Sequence, residues 1–281
     1  MARTKYLNNK DLLAEIHKSK TSYCYYEKPE YHQFDLILDE VKKINRNTIK
    51  EARLVRAKRL SEQKIEALGL KVKKTTMDEH AIDPKSIPIE DLIFRVKTFD
   101  HIPDDLDRKS NHKTIADTKV KLNFVPFKHY KFKNYEKKEL VEVGKSHYAS
   151  HNQFSLDHGS ITPKLGHMYM KLCQRYGTRS NWRGYTYNDE MQSQALLQLS
   201  MIGLQFDESK SDNPFAYYTA TVNNSFTRVL NLEKRNQTIR DDILIEQGHL
   251  PSYGRQIQHE NELKAMRDSA EAEVDVGSAK E

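Results

Sequence analysis

Apolar residues recur at helical spacing in several separated stretches of the chain, and with a strand's period in one. Leu12, Leu13 and Ile16 predict a helix over Asn8–Lys18, capped by Asn8 or Asn9. A tyrosine-rich, proline-containing link follows. Ile37, Val41, Ile44, Ala52 and Val55 then predict a second helix starting near Phe34. Thr75–Pro88 reads as a linker, Ile89–Phe99 as a short helix, and DDLDRKSNHK as a loop. From Lys119 the period changes: Val120, Leu122 and Phe124 alternate with polar residues, which predicts a strand, and FKHYKFKNY continues as a hairpin or small sheet.

The last part of the chain is the most regular. Pro163 suits a helix start, Leu165, Met168, Met170, Leu172 and Cys173 make its apolar face, and Gly177 ends it. Asn188 or Asp189 caps the next helix, over roughly Glu190–Gln205, whose apolar side is Met191, Ala195, Leu199, Ile202 and Phe206. Pro214 opens a third helix reaching about Arg235. Phe215, Tyr218, Val222, Phe226 and Val229 form its buried stripe by spacing, and Tyr217, Thr221, Asn224, Arg228 and Asn231 an adjacent stripe without aliphatic residues.

Charge changes this picture in one place. Between Val41 and Thr75 twelve Lys and Arg stand against Glu51, Glu62 and Glu66, whereas the whole chain of 281 residues carries only +6. This is either a solvated helix face or a phosphate-contacting one. The aromatic and basic interleaving of FKHYKFKNY is open in the same way, between a half-buried strand and a single-strand binding surface. At 31% charged and 37% hydrophobic, the chain predicts a modest core. Cys24 and Cys173 form no spaced pair and read as reduced thiols. No apolar run approaches the roughly 20 residues of a spanning helix. His147 and His151 sit at i, i+4 without a matching carboxylate or thiolate, so no metal and no cofactor is expected. No glycine-rich phosphate loop or nucleophile motif points to an enzyme.

Tyr217 beside amide and hydroxyl side chains, with Arg228, Lys234 and Arg235 further along, suits unstacked bases on a phosphate backbone. The order of Glu190, an amphipathic helix, Phe206–Asp207, a short polar loop and FAYYT resembles region 2 of bacterial RNA polymerase sigma factors. The chain is most similar to the small late-transcription sigma factors of T-even-like phages. Their Y-x-N-N-K-[DE]-L-L start is seen at Tyr6–Leu13, their G-Y-T at Gly184–Thr186, their N-P-[FH]-A-Y at Asn213–Tyr217, and their basic tail at Leu230–Arg235. The likeness covers about the first 20 residues and about Pro163–Leu244.

The resemblance implies a mainly α fold, a sigma region 2-like helical bundle with an inserted basic α+β module. The expected domains are an N-terminal helical segment (1–30), the inserted module (31–160), the sigma region 2-like domain (161–245) and a flexible charged tail (246–281). It implies that Glu190, Gln194, Leu197, Gln198 and Met201 dock on the clamp coiled coil of the largest subunit of bacterial core RNA polymerase. It implies that Phe215, Tyr217, Tyr218, Thr221, Asn224, Arg228, Lys234 and Arg235 recognise and open the AT-rich −10 element of promoter DNA. The function expected is thus a non-enzymatic specificity subunit in the cytoplasm of an infected bacterium, working with or without a phage co-activator. Where primary sigma factors carry a tryptophan pair, this chain has about Thr221 and Val222. Its end, EAEVDVGSAKE, lacks the aromatic or leucine cluster of a sliding-clamp tail, and no second helix-turn-helix is evident after Arg235. The competing readings are a single-strand binder using Lys119–Tyr135 and a polymerase-bound regulator that reads no promoter.

Overall fold

The computed structural model describes residues 8–70, 72–103 and 112–278. Tyr6, Lys71, most of the DDLDRKSNHK loop and the last residues of the C-terminal tail lie outside them. The described chain is mainly helical with a small mixed sheet. In order it contains α1 (Asn9–Thr21), β1 (Cys24–Tyr26), β2 (Leu36–Leu38), α2 (Arg46–Ala67), α3 (Lys74–Glu79), β3 (Ile93–Lys97), β4 (Phe127–Asn134), β5 (Glu139–Ser146), β6 (Tyr148–Ser150), β7 (Gln153–Phe154), α4 (Pro163–Gly177), α5 (Asn188–Ile202), α6 (Pro214–Glu246) and α7 (Tyr253–Ser278). It divides into two compact units, Met1–Val222 and Asn223–Glu281, and the division falls within α6.

In the first unit the five-stranded sheet runs β1-β5-β4-β3-β2, antiparallel except for the β2–β3 pair. Its edge strand β1 comes from the N-terminal segment, so residues 1–30 and 31–160 share one sheet. One face of the sheet carries α2. Ile49, Ala52 and Ala57 of the helix pack with Phe94, Val96 and Phe132 of the strands, each at 5% exposure or less. Fully burying each large apolar side chain contributes about 1.5–3 kcal/mol. The second helix begins with the capping box of Asn45 and Thr48, not near Phe34, because Leu36–Leu38 pairs with β3 instead. Ile93–Lys97 is likewise a strand within the stretch expected as the Ile89–Phe99 helix. The expected strand at Lys119–Phe124 does not form. Leu122 and Phe124 are buried, but Leu122 joins Phe99 and Ile102 in a small cluster rather than a ladder. α3 lies within the stretch read as linker.

The other face of the sheet buries Arg95 and His129 among apolar and aromatic side chains. Arg95 of β3 is 2% exposed, with its guanidinium 3.8 and 3.9 Å from the rings of Phe34 and Phe127. Its Nε–H donates to His129 Nε2 at 3.0 Å, and His129 Nδ1 faces the Tyr31 carbonyl at 2.7 Å, so His129 donates there. Burial, reinforced by Arg95, pushes the His129 pKa well below its ordinary value and keeps the ring neutral. On β4, Phe127 stacks on His129 and Phe132 meets Phe94 edge-on. These two rings of FKHYKFKNY therefore face inward, against a single-strand binding surface built on them.

The second unit holds the rest of α6 and then α7, in the segment expected as a flexible tail. Gly248 ends α6 in the left-handed region (φ 75°), letting His249 N–H reach the Leu244 carbonyl at 2.8 Å. Asp241 accepts from the Ser252 amide (2.8 Å) and hydroxyl (2.7 Å) and so sets the start of α7.

Candidate nucleic-acid and protein interface

The two stretches that carry the family likeness, some 140 residues apart in sequence, meet in the first unit. The Asn8 side chain accepts from the Asp11 amide at 2.7 Å and caps α1, which buries Leu12 and Ile16. Glu15 of α1 accepts from the Thr162 hydroxyl at 2.9 Å and pairs with Lys164 at 3.0 Å, fixing the start of α4. Asn9 accepts the Phe215 amide at 3.2 Å, at the start of α6. α4 and α5 pack on each other, with Tyr169, Leu172, Met191, Ala195 and Leu199 all buried. Met170, expected on the apolar face of α4, is 44% exposed.

The short link from α5 to α6 is held from both sides. Phe206 is buried, and its carbonyl accepts from Lys20 Nζ at 2.8 Å. Lys20 also pairs with Glu208 at 2.6 Å, with both side chains nearly inaccessible to water. Burial alone raises the Glu208 pKa; the Lys20 ammonium reverses this and leaves it below its ordinary value. Asp207 pairs with Lys97 of β3 at 3.1 Å, and Lys97 also reaches Asp39 at 2.8 Å. Asn213 accepts the Ala216 amide at 3.1 Å and caps α6, with Pro214 following.

The candidate DNA residues then separate. Tyr217 is half-buried. Its hydroxyl donates to the Ile202 carbonyl at 3.2 Å, and its ring lies 5.6 Å from Phe206. It lines a cleft of about 940 Å³ whose other walls include Phe99, Tyr130, Lys42, Lys97 and Lys210. Phe215 is 38% exposed, and Asn224, Arg228, Lys234 and Arg235 are exposed. Tyr218 and Thr221 are not available as contacts. Tyr218 is fully buried, donating to the Gly203 carbonyl at 3.0 Å and accepting from Tyr169 at 3.1 Å. Thr221 is buried, with its hydroxyl on the Tyr217 carbonyl at 3.0 Å. Both face the core because the stripe spacing of α6 carries them there, as the periodicity predicts for Tyr218.

The candidate polymerase residues lie together on α5. Leu197 and Met201, one turn apart, are 55% and 51% exposed. Glu190 and Gln194 are exposed and joined by a 2.9 Å hydrogen bond, and Gln198 is half-buried beside them. Lys20, Lys97, Asn9 and Glu208 are the residues sequence reasoning missed. Their partners are between 110 and 206 positions away, beyond the reach of any local pattern.

His147 is buried and tilted against Phe124 at 4.3 Å, and His151 lies edge-on to Tyr25 at 6.0 Å. Among the described residues no helix is long and apolar enough to cross a membrane. No family model matches the chain, and neither a curated protein nor a solved structure is found to be similar to it.

Proposed function

We propose that this chain is a phage-type RNA polymerase sigma factor for late transcription. It binds bacterial core polymerase and recognises and opens an AT-rich −10 element, with no chemical step of its own. The observation that carries the reading is the junction of α1 with the start of α6. The N-N-K-D-L-L stretch and the N-P-F-A-Y stretch resemble the same family, and they touch through Asn9 and Phe215.

Exposure supports this division of labour. The open face of α5, with Leu197 and Met201 flanked by Glu190, Gln194 and Gln198, docks on the clamp coiled coil. Tyr217 in its cleft receives an unpaired base. Asn224, Arg228, Lys234 and Arg235, exposed in the second unit, are contacts for phosphates. Tyr218 and Thr221 support that arrangement from the core. Opening costs a mean of about 1.4 kcal/mol per base step. Stacking a base on an aromatic ring returns roughly 1–3 kcal/mol. One or two captured bases thus offset a similar number of opened steps.

Co-purification of the full chain with core polymerase, followed by initiation assays on an AT-rich promoter, tests the reading. Core-dependent initiation is the expected result. Association without initiation would favour a regulator that reads no promoter, and DNA binding without association would favour a plain nucleic-acid binder.

A further inference from the structure

The twelve cations between Val41 and Thr75 outweigh the charge of the whole chain, so the rest of the chain is net negative. The structure sorts them. Arg59 and Arg56 are engaged with Asp35, a fully buried carboxylate that also accepts the Ile93 amide at 2.9 Å. Lys43 pairs with Asp39 at 3.2 Å. Arg46, Lys50 and Lys58 of α2 are exposed and have no ion-pair partner among the described residues. They recur with Leu54 at every fourth position, and Leu54 is 59% exposed. At 1.5 Å per residue, Arg46 to Lys58 spans about 18 Å. That is about five phosphates of one strand at 3.4 Å each. The line also starts in a telling place. Lys42, just ahead of it, is on the wall of the cleft that holds Tyr217.

We propose that this face of α2 is a track for the backbone of duplex DNA adjoining the opened segment. The inference rests on the function proposed above for Tyr217 and adds a role for the inserted module. A convex helix face carrying cations and no aromatic ring has nothing on which to stack bases. It matches backbone contact, which positions DNA without reading its sequence. Glu62 continues the line one turn past Lys58 and is held by Lys10 at 3.6 Å, and Glu51, next to Lys50 in sequence, is exposed.

The test uses the full chain and a fluorescent duplex of about 30 base pairs ending in an AT-rich single-stranded tail, titrated over salt concentration. Neutralising three phosphate contacts in Arg46→Gln/Lys50→Gln/Lys58→Gln should flatten the slope of log K against log salt by about 2.7. The preference for the AT-rich tail should persist. A control, Lys133→Gln/Lys137→Gln/Lys138→Gln, removes the same charge from the exposed end of β4 and the turn after it and should leave the slope unchanged. A far-ultraviolet spectrum matching the unaltered chain excludes misfolding. The inference is overturned if the unaltered chain does not bind the probe, if the α2 variant keeps its slope, or if the control flattens equally. It is also overturned if the α2 variant loses core-polymerase affinity with its DNA slope intact, since the face then docks protein. Failure of the sigma-factor reading is distinct: promoter opening with core polymerase would be missing while the α2 slope change remained.

Discussion

Replacing Lys20 by Met tests the packing of α1 against the α5–α6 link. The substitution keeps the length of the stem and removes the ammonium, leaving Glu208 without its 2.6 Å partner and the Phe206 carbonyl without its 2.8 Å donor. Removing one partner of a buried pair costs about 3–5 kcal/mol, since the remaining charge stays buried with its nearest counter-charge gone. For a unit of this size that lowers the melting temperature by roughly 10 °C. The cost also has a pH signature. In the unaltered chain the Glu208 pKa is depressed, so its contribution is present above the unfolded value near 4.5 and is lost as pH falls through the folded value. Without Lys20 the Glu208 pKa rises, because burial remains and the largest opposing charge is gone, with His17 and Arg95 left to hold it down. The penalty is then absent in acid, where the carboxyl is neutral, and grows as pH rises through the raised value. Urea unfolding at pH 7 and pH 4.5 should therefore show a gap between variant and parent that shrinks in acid. Lys20→Met/Glu208→Gln should recover part of the loss at pH 7. A single-variant cost under about 1 kcal/mol, or strict additivity in the double variant, would refute the buried-pair argument.

Three further outcomes are expected. His147 and His101, with pKa values pushed down to about 3 by burial first, are neutral in the fold and titrate near 6.5 when unfolded. Stability is then full above about pH 6.5 and falls on acidification by up to about 1.4 kcal/mol per pH unit for each ring, measurable by urea titration at pH 7, 6 and 5. Gly203→Ala places a Cβ in collision with the Tyr169 hydroxyl, which in turn bonds Tyr218, and should cost about 1–3 kcal/mol by thermal melting. Leu197→Glu/Met201→Glu should weaken core-polymerase binding tenfold or more in a titration while leaving the melting temperature within a degree or two, since both side chains are already half-exposed.

How much of this was legible in the sequence follows from the range of the interactions. α1 and α4 carry local signals at their starts, in Asn8 or Asn9 and in Pro163, and both helices begin where those signals predict. The helical spacing also placed Tyr218 inside, whereas the family likeness placed it among the DNA contacts; the burial follows the spacing. The sheet was harder to see. β1 and β2 are three residues each, and β3 is nearly all buried, so neither offers a period long enough to separate strand from helix. Val120, Leu122 and Phe124 alternate like a strand, but the alternation there records burial of two side chains and not pairing. The site shows the same contrast. The buried side of α5, Met191, Ala195 and Leu199, follows from helical spacing, whereas the hold on Asp207 and Glu208 comes from Lys97 and Lys20 on distant elements.

Permanganate footprinting of an AT-rich promoter, with core polymerase and either the unaltered chain or Tyr217→Ala, tests the central claim most directly. The account predicts reactive thymines in the −10 segment with the unaltered chain. It predicts strongly reduced reactivity with Tyr217→Ala at equal core occupancy. Promoter thymines that stay unreactive with the unaltered chain bound to core, or equal reactivity with Tyr217→Ala, would contradict it.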